Sequence, residues 1–375
     1  MLWELAKIFL RLGATSFGGP LAHIALMREE FVERRGWLSD AEFLDLCGAV
    51  NLIPGPNSTE LAMHIGHKRA GNAGLWVAGS CFIAPAFVLV LVLAALYARF
   101  GVLPHSRAVL WGVAPVVVAI VAQALWKLAP AALKNRFSQM VAALSFVAAA
   151  LGASEIAIIF AAAFMGAIPL LISHSKNAKP RSFPLFFLVA PVSGAAGATV
   201  WPIFWSFLKI GSVIYGSGYV LVAYMRAEFV EHLGVLTDLQ LLDAIAIGQL
   251  TPGPLFTSAT FVGFQIGGFW GAIAATAGIF LPSFGFVMIL ARGLGKWSES
   301  PRARHFLDAV SAGSFALMAL VTIQMARAAF FPSHQLDWGA ATIGLSTGIL
   351  LWKTKFNSVW FLILGATFGL VLRTG

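Results

Sequence analysis

The run Pro54-Gly55-Pro56-Asn57-Ser58-Thr59-Glu60 joins a backbone that cannot stay helical to side chains able to bind an anion or a proton. Proline removes an N–H donor and disrupts a helix, and glycine permits the excursion between the two prolines. Pro56 is suited to start a new helix, where its missing N–H falls among the groups that lack a partner anyway. That helix would aim free N–H groups and its positive dipole end at whatever lies before it, flanked by the Asn57 amide and the Ser58 and Thr59 hydroxyls. Such donors suit an anion. A plain kink between two short helices is the competing reading of a single motif.

The device occurs twice. Pro252-Gly253-Pro254 follows the first motif by 198 residues, and the segment after it keeps hydroxyls at Thr257 and Ser258 but has no counterpart of Asn57 or Glu60. A second pair of breaks, Ser16-Phe17-Gly18-Gly19-Pro20 and Ile214-Tyr215-Gly216-Ser217-Gly218, precedes each motif. Small residues there either admit a neighbouring helix or bare N–H groups that complete an oxyanion pocket, with Tyr215 offering a further hydroxyl. The candidate anion-binding set is therefore Gly18, Gly19, Gly55, Asn57, Ser58, Thr59, Tyr215, Gly216, Gly253, Thr257 and Ser258.

Ionisable residues in apolar runs supply candidates for ion pairing or proton coupling, because charge is expensive in a bilayer and defaults to function there. Arg28 beside Glu30 matches Arg226 beside Glu228, each where an apolar span meets a polar elbow, and an interfacial Arg–Glu pair is the simplest reading. Asp45 and Asp243 lie within apolar runs ahead of each Pro-Gly-Pro, as locks if paired to Arg and proton carriers if not. Glu60 and His64, one helical turn apart, make a proton relay with no equivalent in the second half. His23 is a weaker candidate, and Arg11 and Lys209 occupy matched positions from which either could supply positive charge.

The elements that position these groups must be membrane spans. Of 375 residues 59% are hydrophobic and 11% charged, less than half the charge of an ordinary soluble domain. The expected fold class is all-α, a polytopic transmembrane bundle of two homologous, inverted repeats, each with a helix broken at Pro-Gly-Pro. The net charge of +9 does not indicate nucleic acid, because Lys and Arg sit at the ends of apolar runs, as orientation in the lipid bilayer requires. Cys47 and Cys81 show no metal or disulfide spacing, and no ATP-binding loop or nucleophile motif is present, so neither a cofactor nor an enzyme is expected.

The first repeat is expected over 1–172, a polar linker over 173–183, and the second repeat over 184–375. Met27-Arg28-Glu29-Glu30-Phe31-Val32-Glu33 returns as Met225-Arg226-Ala227-Glu228-Phe229-Val230-Glu231, again 198 residues on. The offset becomes 197 after the second motif, where Gly66, Gly71, Gly74 and Pro85 match Gly263, Gly268, Gly271 and Pro282. Loops after corresponding spans carry opposite positive bias: His67, Lys68 and Arg69 have no basic counterparts, whereas Arg292, Lys296, Arg302 and Arg304 stand against Arg107 alone. That pattern favours inversion.

The ordered motifs Phe17-Gly18-Gly19-Pro20-x-x-His23, Glu30-Phe31-Val32-x-x-Arg35-x-Trp37-Leu38 and Pro54-Gly55-Pro56-Asn57, repeated more loosely from Lys209 to Pro254, resemble the chromate transporter family in its long, two-repeat form. The resemblance covers the whole chain. It implies a multi-pass protein of the bacterial inner membrane that exports chromate, a sulfate-like dianion, and confers resistance, driven by protons or by anion exchange as in an antiporter. Family motifs carry over onto Gly18, Gly19, Pro20, Arg35, Trp37, Pro54, Gly55, Pro56 and Asn57, and onto Pro252, Gly253 and Pro254. The second repeat departs at Gly218 for Pro20, Leu221 for His23 and Val235 for Trp37. A passive anion channel, a sulfate-type transporter that carries chromate incidentally, and a lipid-handling protein remain as alternatives. The assembly, a homodimer included, stays open, since short family members carry one repeat and work as pairs.

Overall fold

A computed structural model describes residues 1–17, 19–101, 103–172, 200–215, 218–291, 301–332, 335–354 and 356–374. The expected linker, the start of the second repeat up to 199, Gly18, Gly216 and the basic residues Arg292 and Lys296 lie outside these residues. The described fold is all-α. Helix α1 (Leu2–Thr15) and α2 (Pro20–Arg28) flank the first break, and α2 runs on into a π-helical elbow, Glu29–Arg34. Helices α3 (Asp40–Val50) and α4 (Asn57–Phe100) flank Pro-Gly-Pro, followed by α5 (Pro104–Ala132), α6 (Arg136–Ala150) and α7 (Glu155–Ile172). The second half repeats the order: α8 (Val200–Val213), α9 (Val220–Met225) with a π elbow Arg226–His232, and α10 (Asp238–Leu250). A 3₁₀ turn (Leu255–Thr257) leads into α11 (Ser258–Leu290), then α12 (Pro301–Phe330), α13 (Trp338–Lys353) and α14 (Ser358–Thr374).

The breaks follow from local chemistry. At 14 residues, α1 and α8 each rise about 21 Å, too little for a hydrocarbon core of about 30 Å. Each must continue through its break. Both pre-motif helices start from a capping box, Ser39 with Glu42 and Thr237 with Gln240, so their N-termini are fixed independently of packing. Helix α4 is a hairpin rather than one long rod. Ala70 and Gly71 leave helical geometry, with Gly71 at φ +58°, and the chain reverses so that Gly66 and Gly74 meet backbone to backbone. Helix α11 does the same at Gly267 and Gly268, where Gly263 meets Gly271. One arm of each hairpin is a half-helix, 57–69 or 258–266; the other is a full span.

Among the described residues four helices are long and apolar enough to cross a membrane, namely α4, α5, α11 with its 3₁₀ turn, and α12. Exposed Trp3, Trp126, Trp201, Trp270, Trp338, Trp352 and Trp360 give the molecule the aromatic, apolar exterior of a protein solvated by lipid. The two halves interleave. Helix α12 packs against α6 and α7, as α5 packs against α13 and α14, and α4 and α11 pack together at the centre. Gly13 lets α1 approach the Phe82 carbonyl of α4, and Gly211 lets α8 approach that of Ile279 in α11.

The elbow charges pair differently from the expected Arg28–Glu30 and Arg226–Glu228 contacts. Arg28 bonds Asp40 (2.6 Å) and Glu33, and Arg226 bonds Asp238 (2.7 Å) and Glu231. Glu30 instead takes Arg11 (2.6 Å), Arg35 (2.6 Å) and Arg34 (3.1 Å), whereas Glu228 takes Lys209 (2.5 Å) and the Ser206 hydroxyl (2.7 Å). Each span is thus tied to its own elbow, and Arg11 and Lys209 serve as locks. Residues two apart on a helix point to opposite sides, so Arg28 faces the next helix while Glu30 faces α1.

A second correction concerns Asp45. It is exposed, and Leu44 beside it is 67% exposed, whereas the matched Asp243 and Leu242 are buried. Helix α10 packs on α5, α12 and α14, while α3 leans on α4, so the same register meets protein in one half only.

Candidate functional site

The two Pro-Gly-Pro breaks do not face each other directly; each is stitched to the first break of the other half. Gly55 N–H donates to the Ile214 carbonyl (2.9 Å), and Gly253 N–H donates to the Ser16 carbonyl (2.9 Å). Ile214 is the match of Ser16 and Gly253 of Gly55, so the exchange has the reciprocity of a two-fold contact. Both glycines adopt positive φ, +141° and +97°, which side chains with a Cβ disfavour. These carbonyls, rather than bared N–H groups, are what the first breaks present at Ser16 and Ile214. Gly19, also at positive φ, caps α2.

The half-helix 57–69 begins at Asn57, with Pro56 as its N-cap rather than its first turn. The Pro56 carbonyl accepts from Thr59 N–H (2.8 Å) and Glu60 N–H (3.0 Å). Ser58 Oγ lies 3.1 Å from His23 Nδ1, and His23 Nε2 lies 3.2 Å from the Ser16 carbonyl. His23, a secondary candidate by sequence, is therefore the bridge between the first break and the half-helix, and through Ser16 it touches the other half's Gly253. Asn57 sits at the margin, half-buried, its amide donating to Asn51 Oδ1 (2.7 Å) where Asn51 is exposed.

Inside this ring lies a group of buried polar atoms with no hydrogen-bond partner among the described residues: Ser16 Oγ, Thr59 Oγ1, both Glu60 carboxyl oxygens, His64 Nε2 and Ser283 Oγ. Thr59, Glu60 and Ser283 have no exposed surface at all. A buried polar group without a partner costs about 1–3 kcal/mol, so several gathered at one helix start are not a packing solution. Two of them, Glu60 and Ser283, meet at Gly55, where an added Cβ would run into Glu60 Oε1 and Ser283 Oγ together. Ser283 Oγ stands beside the carboxylate, at the limit of hydrogen bonding to it.

The second half differs. Residues 251–260 are all buried, and the Thr257 and Ser258 hydroxyls donate to the carbonyls of Pro254 (2.8 Å) and Leu255 (2.9 Å). Their hydrogens are occupied in tightening the 3₁₀ turn, so in this conformation neither is directed at a ligand. The Tyr215 hydroxyl reaches only the Leu52 carbonyl, at 3.4 Å. Asp243 accepts from the Tyr97 hydroxyl (2.8 Å), an acid–phenol pair between α10 and α4. No Lys or Arg is buried among the described residues, and these hold no His, Cys, Asp or Glu group arranged for a metal.

Sequence reasoning named Gly55, Ser58, Thr59, Glu60 and His64, which lie along one break and its half-helix, and did not name Ser283, Ser16 or Tyr97 as site residues. Ser283 follows Pro282, whose match Pro85 is followed by Ala86; a hydroxyl in one of two otherwise apolar counterparts was the available signal. Ala86 accordingly lies where Gly253 approaches α4.

Comparison with known proteins gives a consistent result. The model of the chromate transporter family matches residues 3–167 and 201–370, two segments whose starts are 198 residues apart. The chain is 31% identical to the chromate transport protein of Cupriavidus metallidurans, across 97% of this chain and 91% of that protein. It is 29% identical to the probable chromate transport protein of Synechococcus elongatus, across 99% and 95%. An uncharacterized transporter of Bacillus subtilis matches 40% of the chain at 31% identity over 75% of its own length. No solved structure matches the chain.

Proposed function

Because the chain belongs to the chromate transporter family, we propose that it carries chromate through a bacterial inner membrane as a secondary transporter, by alternating access between two inverted repeats. The observation that carries this reading is the cluster of buried, partnerless polar atoms at the start of half-helix 57–69. A tetrahedral dianion is a guest of matching chemistry: it accepts from the free N–H groups of Asn57 and Ser58 and from the Thr59 and Ser283 hydroxyls. With no Lys or Arg buried among the described residues to fix it, such a dianion is held by dipoles and hydroxyls, which permit release on either side.

The reciprocal bonds of Gly55 and Gly253 supply the joint. Each links a broken helix of one repeat to the other repeat, so a change of access exchanges these contacts between the repeats. Export with resistance as its consequence, and coupling to protons or to a counter-anion, complete the proposal. Sulfate shares the geometry and charge of chromate and competes for the same site.

Uptake of labelled chromate and sulfate into inverted membrane vesicles, with and without a pH gradient, tests it. Saturable chromate accumulation that depends on a gradient and is inhibited by sulfate is expected. No chromate movement under any gradient overturns the function, and conductance without accumulation assigns a passive channel instead.

A further inference from the structure

Glu60 occupies an odd place for a site that takes anions. It lies in the first turn of the half-helix, and its carboxyl reaches back to Gly55, at the positive end of the dipole. That is where a dianion would accept hydrogen bonds. The side chain is wholly buried, and its carboxyl forms no ion pair and meets only the Ser283 hydroxyl, at the limit of hydrogen bonding. Its surroundings hold nothing that would fix it as a structural salt bridge. His64 stands one turn further along its own helix, Tyr215 faces it from the segment after α8, Ser283 from α11, and His23 from α2 through Ser58. Among the described residues no Lys or Arg pairs with it. The second half has Ser258 at the matched position, so the acid belongs to one repeat alone.

We propose that the Glu60 carboxyl is a tethered competitor for the substrate: ionised, it fills the anion site at Gly55, and protonated, it yields that site to one dianion. The inference rests on the anion site proposed above and adds the coupling device. An ionised carboxylate and a dianion cannot share one buried helix terminus, since like charges repel strongly where water is excluded. Binding the dianion therefore requires one proton from the aqueous phase. An O–H bond forms on Glu60, and nothing else is made or broken. Departure of the dianion returns the carboxylate to the helix terminus and releases the proton. Ser283 is the hydroxyl shared by both occupants, turning its hydrogen to whichever is present.

The test measures equilibrium binding of labelled selenate, a tetrahedral dianion that stays fully ionised from pH 5 to 9, to the purified full-length protein. Wild type should lose affinity about tenfold per pH unit on the alkaline side of the Glu60 titration, and should take up one proton per selenate bound. Glu60→Gln should bind selenate with an affinity independent of pH, and Glu60→Asp should restore the slope. Wild-type pH dependence in Glu60→Gln, loss of selenate binding by folded Glu60→Gln, or selenate binding by wild type without proton uptake each overturns the proposal. The proton-uptake measurement needs no variant. Failure of wild type to bind selenate at any pH overturns the anion site itself, which separates the two claims.

Discussion

Replacing Gly55 by alanine perturbs the site with a single methyl group. Two separate costs can be read from the structure. At φ +141° the backbone is in a region essentially confined to glycine, and holding alanine there costs about 1–3 kcal/mol. The new Cβ would also lie on top of Glu60 Oε1 and Ser283 Oγ, both fully buried, and overpacking of that kind costs about 1–3 kcal/mol more. Even the lower sum, about 2 kcal/mol against the conformation with the formed site, corresponds to a loss of about 30-fold in transport. The assay is initial-rate chromate uptake into proteoliposomes, normalised to folded protein. Gly36→Ala is the control, because Gly36 sits at φ +59° in the elbow with nothing within 4 Å of its added Cβ. It should lower the unfolding midpoint through backbone strain yet leave transport per folded molecule unchanged. Gly55→Ala transport within threefold of wild type, at wild-type folded yield, would refute the reasoning.

The charge pairs give further expectations, read by thermal unfolding in detergent. Lys209→Ala leaves the mostly buried Glu228 with only the Ser206 hydroxyl and should cost about 2–3 kcal/mol, whereas Arg11→Ala leaves Glu30 with Arg34 and Arg35 and should cost under about 1 kcal/mol. Equal losses would contradict that assignment. Asp337 caps α13 through Ala340 N–H and also accepts from Trp111 Nε1–H and Arg373; Asp337→Ala should cost about 1–3 kcal/mol. Burial opposes its charge, but those three donors and the Arg373 charge win, and they hold its carboxyl below the ordinary aspartate range. Its contribution is therefore complete above that range and is lost as pH falls below it, and a pH-stability curve with the same acid limb in Asp337→Ala would exclude the effect. Tyr97→Phe strips Asp243 of its hydroxyl donor, and transport should fall several-fold if that acid turns over protons or holds α10 to α4; an unchanged rate would leave the pair without a role.

What the sequence made legible was whatever the backbone decides locally. Pro-Gly-Pro encodes its break in three adjacent residues, and the 198-residue spacing made the second motif readable from the first, whereas the capping boxes at Ser39 and Thr237 and the hairpin turns at Gly71 and Gly268 came from the structure. Partners across the fold were another matter. Arg28 and Glu30, two residues apart on one helix, face opposite sides and take partners from different elements, Asp40 for one and Arg11 for the other. Matched Asp45 and Asp243 looked equivalent, but burial depends on which helices cover α3 and α10, and nothing in either local sequence states that. Ser283 stayed hidden for the same reason: its meaning lies in the approach of Gly55 from the opposite half. The asymmetry at Asn57, Glu60 and His64 against Leu255, Ser258 and Val262 was visible, and the structure gives it content. One break carries partnerless polar groups and an ionisable occupant, while the other satisfies its own hydroxyls and is sealed.

The central claim is that the dianion sits at the start of half-helix 57–69. A structure of the protein equilibrated with tungstate, a tetrahedral dianion dense enough to be located by its scattering, tests this directly. The account predicts one strong peak within hydrogen-bonding distance of the Asn57 and Ser58 backbone N–H groups and the Ser283 hydroxyl, with the Glu60 side chain displaced. A peak at the Arg11, Arg34 and Arg35 cluster around Glu30, with no density beside Gly55, would contradict it.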